Sequence, residues 1–153
     1  MEPFPEKLSG ITCYAGQEEL DQFLENCEIL VCLLPLTKLT KGLLNKNMIA
    51  RLGAGNSSRK PALINAGRGE LQNEPDIISA LNNGTLRGAS LDVFQSEPLH
   101  IDDQLWKTPN LIITPHNAST SDAMSVAKYV LRQINNLEHG KQLEHVVDRS
   151  KGY

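Results

Sequence analysis

The chain has 153 residues, 40% of them hydrophobic and 22% charged, with a net charge of −3 and a pI of 5.8. That is enough chain for one domain with a real core. There is no basic stripe to meet nucleic acid or an anionic membrane, and no apolar run approaches the ~20 residues of a membrane span. Cys13, Cys27 and Cys32 are odd in number and lack CxxC spacing. They argue against a disulfide framework or a zinc site and for buried free thiols in a cytosolic protein.

Met1 to Gly10 reads as an irregular lead-in, acidic and broken by Pro3 and Pro5, unlike a signal peptide. Ile11 to Ala15 is a short strand candidate closed by Gly16. Gln17 to Cys27 predicts a helix, with Leu20, Phe23, Leu24 and Cys27 on one stripe. Ile29 to Leu34, stopped by Pro35, is an unalternating apolar run that suits a parallel strand covered on both faces. Asn45 is placed to cap a short helix running to Arg51. A polar loop from Gly53 to Lys60 precedes a strand, Ala62 to Asn65. A helix follows over Asp76 to Asn83, ended by Gly84. The next strand spans Leu86 to Val93, and Gln95 to Asn110 is mostly loop, with a helical turn at Leu105 and Trp106. Leu111 to Ile113 is the last strand, and Ser121 to Leu137 a long amphipathic helix ended by Gly140. Alternating strand and helix predict an α/β fold: a parallel sheet with flanking helices, partial Rossmann-like (doubly wound), with too few strands for a complete six-stranded dinucleotide fold.

Three polar patterns follow three successive strands. They are Asn65-Ala66-Gly67-Arg68-Gly69, Leu91 to Leu99 (with Asp92 and Glu97), and Thr114-Pro115-His116. Ligands of open α/β sheets bind outside the carboxyl ends of the strands, so Arg68, Glu97 and His116 form a candidate active site. A guanidinium presents a planar fork to a carboxylate or carbonyl oxygen. Histidine suits proton transfer near neutrality, and a neighbouring carboxylate orients an imidazole and favours its charged form. Taken singly, each has an ordinary reading as a turn arginine, a solvated loop acid or a hydrogen-bonded loop histidine. His100, His139 and His145 read as solvent-facing. Gly53-Ala54-Gly55 begins like a dinucleotide fingerprint, but it follows a helix and lacks the third glycine, so it is set aside.

Together the segments resemble the D-isomer-specific 2-hydroxyacid dehydrogenases. Leu33-Leu34-Pro35-Leu36-Thr37-Lys38-Leu39-Thr40 with Asn45 is similar to the family's LLPxTxxTxxxxN element. Asn65 to Gly69 matches NxxRG, Leu91 to Leu99 matches LDVFxxEPL, and Thr114 to Ala118 matches TPHxA. The ending Val147 to Tyr153 and the spacings are most similar to the bacterial glyoxylate/hydroxypyruvate reductase A branch. The resemblance covers the C-terminal half of such an enzyme. It implies that residues 1–117 are the C-terminal part of an NAD(P)-binding domain, and that 118–153 are a helix and tail returning to a substrate domain. It implies hydride transfer from NADPH, with NADH as the alternative, to a small 2-oxo acid, in a cytoplasmic homodimer that needs no metal. Arg68 would bind the substrate carboxylate and carbonyl, His116 would be the general acid, and Glu97 its carboxylate partner. Pro35, Thr40, Asn65, Ala66, Arg68, Asp92 and His116 would lie along the cofactor.

Against the family pattern, Gln72-Asn73 replace apolar residues, the loop through Asn56 to Lys60 is longer, and Ser121 replaces threonine. The glycine-rich βαβ unit that grips a pyrophosphate is not found in these residues. Two other readings stay open: a non-catalytic remnant serving as a binding or dimerisation module, and an NADH-linked relative of the D-lactate or phosphoglycerate dehydrogenase type.

Overall fold

A computed structural model describes residues 9–55 and 59–149. The predicted lead-in up to Leu8, the loop residues Asn56 to Ser58 and the tail from Ser150 lie outside the described residues. Four strands, β1 (Ile29–Cys32), β2 (Ala62–Asn65), β3 (Gly88–Leu91) and β4 (Leu111–Ile113), form one parallel sheet in the order β1-β2-β3-β4. Of four α-helices, α1 (Leu20–Glu25), α2 (Lys46–Ile49) and α3 (Glu74–Asn82) precede β1, β2 and β3 in turn, and α4 (Ala123–Glu138) follows β4. One-turn 3-10 helices lie at Gly69–Leu71 and Gln104–Lys107. The chain divides into two compact units, Met1–Pro115 and His116–Tyr153.

Register explains the core of the first unit. Leu30, Leu63 and Ala89 pair across the sheet in one row, and Cys32, Asn65 and Leu91 in another. Both rows are buried. Leu24 of α1, Met48 and Ile49 of α2, and Ile77, Ala80 and Leu81 of α3 join them in one cluster. Each fully buried leucine contributes roughly 1.5–3 kcal/mol.

In the alternate rows the edge-strand residues Ile29, Val31 and Ile112 are exposed, 49% at Ile29 and 52% at Val31, while Ala62, Ile64, Gly88 and Ser90 between them are half-buried. This corrects the expectation that β1 is covered on both faces. Side chains alternate along a strand, and the helices of this unit load one face. The strand also ends at Cys32, two residues short of its apolar run.

Ile11 to Ala15 is not a strand. Ile11 and Cys13 are exposed, so of the three cysteines only Cys32 is fully buried. A β-prone run needs a neighbour to pair with, and this one has none among the described residues. The predicted helix from Gln17 contracts to α1 because Gly16 sits at φ 76 and Glu19, at the N-cap, makes no capping bond with its side chain. The remaining helices match within a few residues and show why they start. Asn45 accepts from the amides of Asn47 and Met48, Asn73 from Asp76, and Asp122 from Ser125.

The second unit holds α4 and its tail. Glu144 ties them together, pairing with Arg132 at 2.7 Å while its backbone amide donates to Gln133. Among the described residues no helix is long and apolar enough to cross a membrane.

Candidate active site

Loops leaving the carboxyl ends of β1, β2 and β3 are tied to one another. In the first, Thr40 Oγ1 donates to the Pro35 carbonyl (2.7 Å) and accepts from Thr37 N (2.8 Å), closing residues 35–40 into a tight turn. Gly42 N donates to Glu70 O and Leu44 N to Leu71 O, joining this loop to the second.

The second loop is braced from within by Asn65, which is fully buried. Its Oδ1 accepts from Gly67 N (3.0 Å), and its Nδ2 donates to Arg68 O (3.2 Å) and to Gln72 Oε1 (2.8 Å). Ala66 N donates to Cys32 O. Arg68 has extended backbone, φ −139 and ψ 146, and its exposed guanidinium donates through Nη1 to Gly67 O at 2.7 Å. The glycines around it are required by space. A Cβ on Gly67 would stand 2.9 Å from Leu34 O, and one on Gly69 would fall 1.8 Å from Phe94 O. Those contacts press the second loop against the first and third.

In the third loop, Asp92 is 5% exposed; its amide donates to Asn65 O, and its Oδ1 accepts from the Thr114 hydroxyl. Thr114 N donates to Leu91 O, so β2, β3 and β4 are laced together just past their ends. Glu97 is exposed, and its Oε1 accepts from Phe94 N at 2.9 Å. Its carboxylate thus closes the turn that carries it.

Pro35, Thr40, Asn65, Ala66, Arg68, Asp92 and Glu97 are therefore gathered along one edge of the first unit. His116 opens the second unit, three positions beyond Ile113, with an exposed ring and φ 52. A non-glycine residue at positive φ is uncommon, although histidine is enriched among such cases. Residue-by-residue reading assigned no part to Thr114 or Gln72. The only signal for Gln72 was a polar residue where an apolar one was expected; it is wholly buried between the second and third loops.

The donor set suits the nicotinamide end of a dinucleotide. A buried carboxylate at Asp92 can accept from a carboxamide, and the Thr40 hydroxyl holds the Pro35 turn in shape at the end of the neighbouring loop. Gly53 and Gly55 do not suit its pyrophosphate. Their amides donate to Leu24 O and Glu25 O at the end of α1, which agrees with setting that glycine pair aside. Burial pushes the thiol pKa values of Cys32 and Cys27 up, with backbone hydrogen bonding opposing it in part, so neither is an activated nucleophile.

Residues 4–118 match the family described as D-isomer specific 2-hydroxyacid dehydrogenase, NAD binding domain. Among solved structures, a probable 2-hydroxyacid dehydrogenase from Rhizobium etli, in complex with NADP, is 43% identical with a TM-score of 0.89; the match covers 97% of this chain and 46% of that one. The NADPH-dependent glyoxylate/hydroxypyruvate reductase from Sinorhizobium meliloti, in complex with NADP and sulfate, is 42% identical with a TM-score of 0.92, covering 99% and 48%. A D-isomer specific 2-hydroxyacid dehydrogenase from Xanthobacter autotrophicus, in complex with NADPH, is 37% identical with a TM-score of 0.89, covering 99% and 61%. The chain thus spans about half the length of the first two and three-fifths of the third. A family match over three quarters of the sequence, on a parallel sheet of the same fold, means that this chain belongs to the D-isomer specific 2-hydroxyacid dehydrogenases, residues 4–118 matching their NAD-binding domain.

Proposed function

We propose that the chain is the C-terminal portion of an NADPH-dependent reductase that converts glyoxylate and hydroxypyruvate to 2-hydroxy acids, hydroxypyruvate giving the D isomer. The observation that carries this reading is the bracing of the Arg68 loop against the Glu97 loop at the carboxyl edge of the sheet, where ligands of such folds bind. Likeness to the Sinorhizobium reductase supports the choice of substrate and of NADPH.

In the overall reaction a hydride and a proton add across the carbonyl of the 2-oxo acid, and NADPH becomes NADP. The reduced nicotinamide, when bound, supplies the hydride. Arg68 binds the substrate carboxylate and carbonyl oxygen with its two-pronged cation and neutralises the charge that develops there. His116 delivers the proton to the carbonyl oxygen, and Glu97 orients the imidazole. Pro35, Thr40, Asn65 and Ala66 line the cofactor, and Asp92 receives its carboxamide. Residues 118–153 return to a substrate domain; the absence of any buried residue in α4 supports that role. The reading includes a homodimer in the cytoplasm. There the reducing environment suits three unpaired cysteines; sedimentation as a single subunit would remove the dimer.

The test is NADPH oxidation by a protein of the relatives' length that carries this chain. Glyoxylate and hydroxypyruvate should both support turnover, and failure with both would overturn the substrate. In the same protein His116→Ala should lower kcat by roughly 10²–10⁴. Arg68→Lys should lower kcat/KM by about 10²–10³, the range for losing a fixed transition-state donor. Unchanged kinetics in either variant would take that residue out of the mechanism.

A further inference from the structure

Gln72 is fully buried, and a buried amide is costly unless its donors and acceptor are met. All are met here. Oε1 accepts from Asn65 Nδ2 (2.8 Å), and Nε2 donates to Val93 O (2.9 Å) and to Glu74 Oε1 (3.2 Å). Because the Val93 carbonyl can only accept, the orientation of the amide is fixed by its partners. Gln95 then closes the ring. Its Nε2 donates to Gln72 O (2.6 Å) and its backbone amide to Glu74 Oε1 (2.8 Å).

The two ends of this side chain reach different loops. On one side it holds Asn65, whose amide in turn holds Gly67 N and Arg68 O. On the other it holds Val93, the residue before the turn that Glu97 closes on Phe94 N. An apolar residue of the same size would fill the space but leave Asn65 Nδ2 and Val93 O without these partners. We propose that Gln72 is a positioning residue for the reaction: its amide clamps the Arg68 loop to the Glu97 loop and so sets the substrate-binding guanidinium relative to the carboxylate that orients the acid. The kinetic part of this inference rests on the reductase reading; the structural part does not.

Two variants separate the halves of the clamp. Gln72→Met keeps the volume and removes both sets of bonds. Gln72→Glu still accepts from Asn65, but its carboxylate cannot donate to Val93 O and stands against Glu74. Amide hydrogen exchange, measured by NMR on the 153-residue chain, reads each half separately. In Gln72→Met the Gly67, Phe94 and Gln95 amides should all exchange about tenfold faster, the scale of one lost hydrogen bond in a local opening. In Gln72→Glu only the Gln95 and Phe94 amides should speed up, with Gly67 near the parent rate. Unchanged exchange at all three amides in Gln72→Met, or a chain unfolded by both substitutions, would overturn a positioning role.

In the full-length protein Gln72→Met should raise KM for glyoxylate and lower kcat, each about tenfold. Gln72→Glu should lower kcat while leaving KM near the parent value. A matching fall in kcat with unchanged KM in both variants would mean loss of active protein rather than misplacement, and would overturn the proposal. A parent protein that consumes no NADPH with any 2-oxo acid would sink the reductase reading instead, and the exchange rates would still decide whether Gln72 is the clamp.

Discussion

Of the glycines at the candidate site, Gly69 leaves the least room for a side chain. A Cβ there would overlap the Phe94 carbonyl, 1.8 Å from its oxygen and 2.0 Å from its carbon. Both atoms belong to backbone, so no side-chain rotation can relieve the overlap, and one loop must move. Overpacking of this kind costs roughly 1–3 kcal/mol. Gly69→Ala should therefore lower the urea midpoint of this chain by an amount equivalent to at least 1 kcal/mol, with an unchanged slope. The displaced Arg68 loop should also lower substrate affinity in the full-length protein. A stability change within about 0.5 kcal/mol, the scatter of ordinary surface substitutions, would show that the two loops are not in the contact described. At this scale the sequence reading found the arginine and both flanking glycines. It could not tell that Gly69 is there for the sake of Phe94, twenty-five positions away, because such a contact leaves no local pattern.

Helix starts are the features of the elements most open to direct test. Asp122 opens α4, with Oδ2 accepting from Ser125 Oγ (2.6 Å) and Ser125 N (2.8 Å). The Ser125 hydroxyl first, and its backbone amide second, hold the Asp122 carboxyl below its ordinary value of 3.8. A carboxyl with a depressed folded pKa contributes stability that is fully present above the unfolded value and is lost as pH falls through the folded one. The first turn of α4 should therefore open between pH 3.8 and the lower pKa of the folded state. Exchange of the Ser125 amide relative to the middle of α4, followed across that interval, checks this. Asp122→Ala should abolish the pH step; persistence of the step would assign it to another group. The cap at Asn45, and the apolar stripes ended by Gly84 and Gly140, are written in residue type and spacing, which is why α2, α3 and α4 were readable to within a few residues; the caps at Asn73 and Asp122 emerge only in the structure. The strands β2 and β4 were readable because apolar runs stop at Asn65 and Thr114. Ile11 to Ala15 and the far end of β1 were not, because pairing is a property of neighbours and not of the run itself. The gathering of three strand ends could be seen in advance, since a parallel sheet places every carboxyl end on one edge. The brace at Gln72 could not, since a buried amide and an exposed one look alike in sequence.

At the scale of the whole molecule, the first unit has a sheet with two unequal faces. The rows containing Leu30 and Cys32 are buried, while Val31 remains 52% exposed, Ile112 63% and Leu33, just beyond β1, 70%. Parallel sheets occur almost always with both faces covered, and large apolar side chains left exposed on one face promote association. The 153 residues expressed alone should accordingly sediment above the monomer mass and bind an apolar dye, and Val31→Thr with Ile112→Thr should reduce both effects. Catalysis should fail for a related reason. The edge residues fit the nicotinamide end of a dinucleotide, while the amides of Gly53 and Gly55 are committed to α1 and cannot hold its pyrophosphate. A dinucleotide is gripped chiefly at the pyrophosphate, by a glycine-rich loop and a helix N-terminus. Closure against a second domain is what excludes water and completes such a site. With NADPH and glyoxylate, these residues alone should show no turnover above the rate without protein, whereas a protein of the relatives' length carrying the same chain should show it. Comparable rates per mole would mean that the carboxyl edge described here binds and reduces without either a pyrophosphate cradle or a closing domain, and the division of labour inferred for Arg68, Glu97 and Asp92 would have to be redrawn.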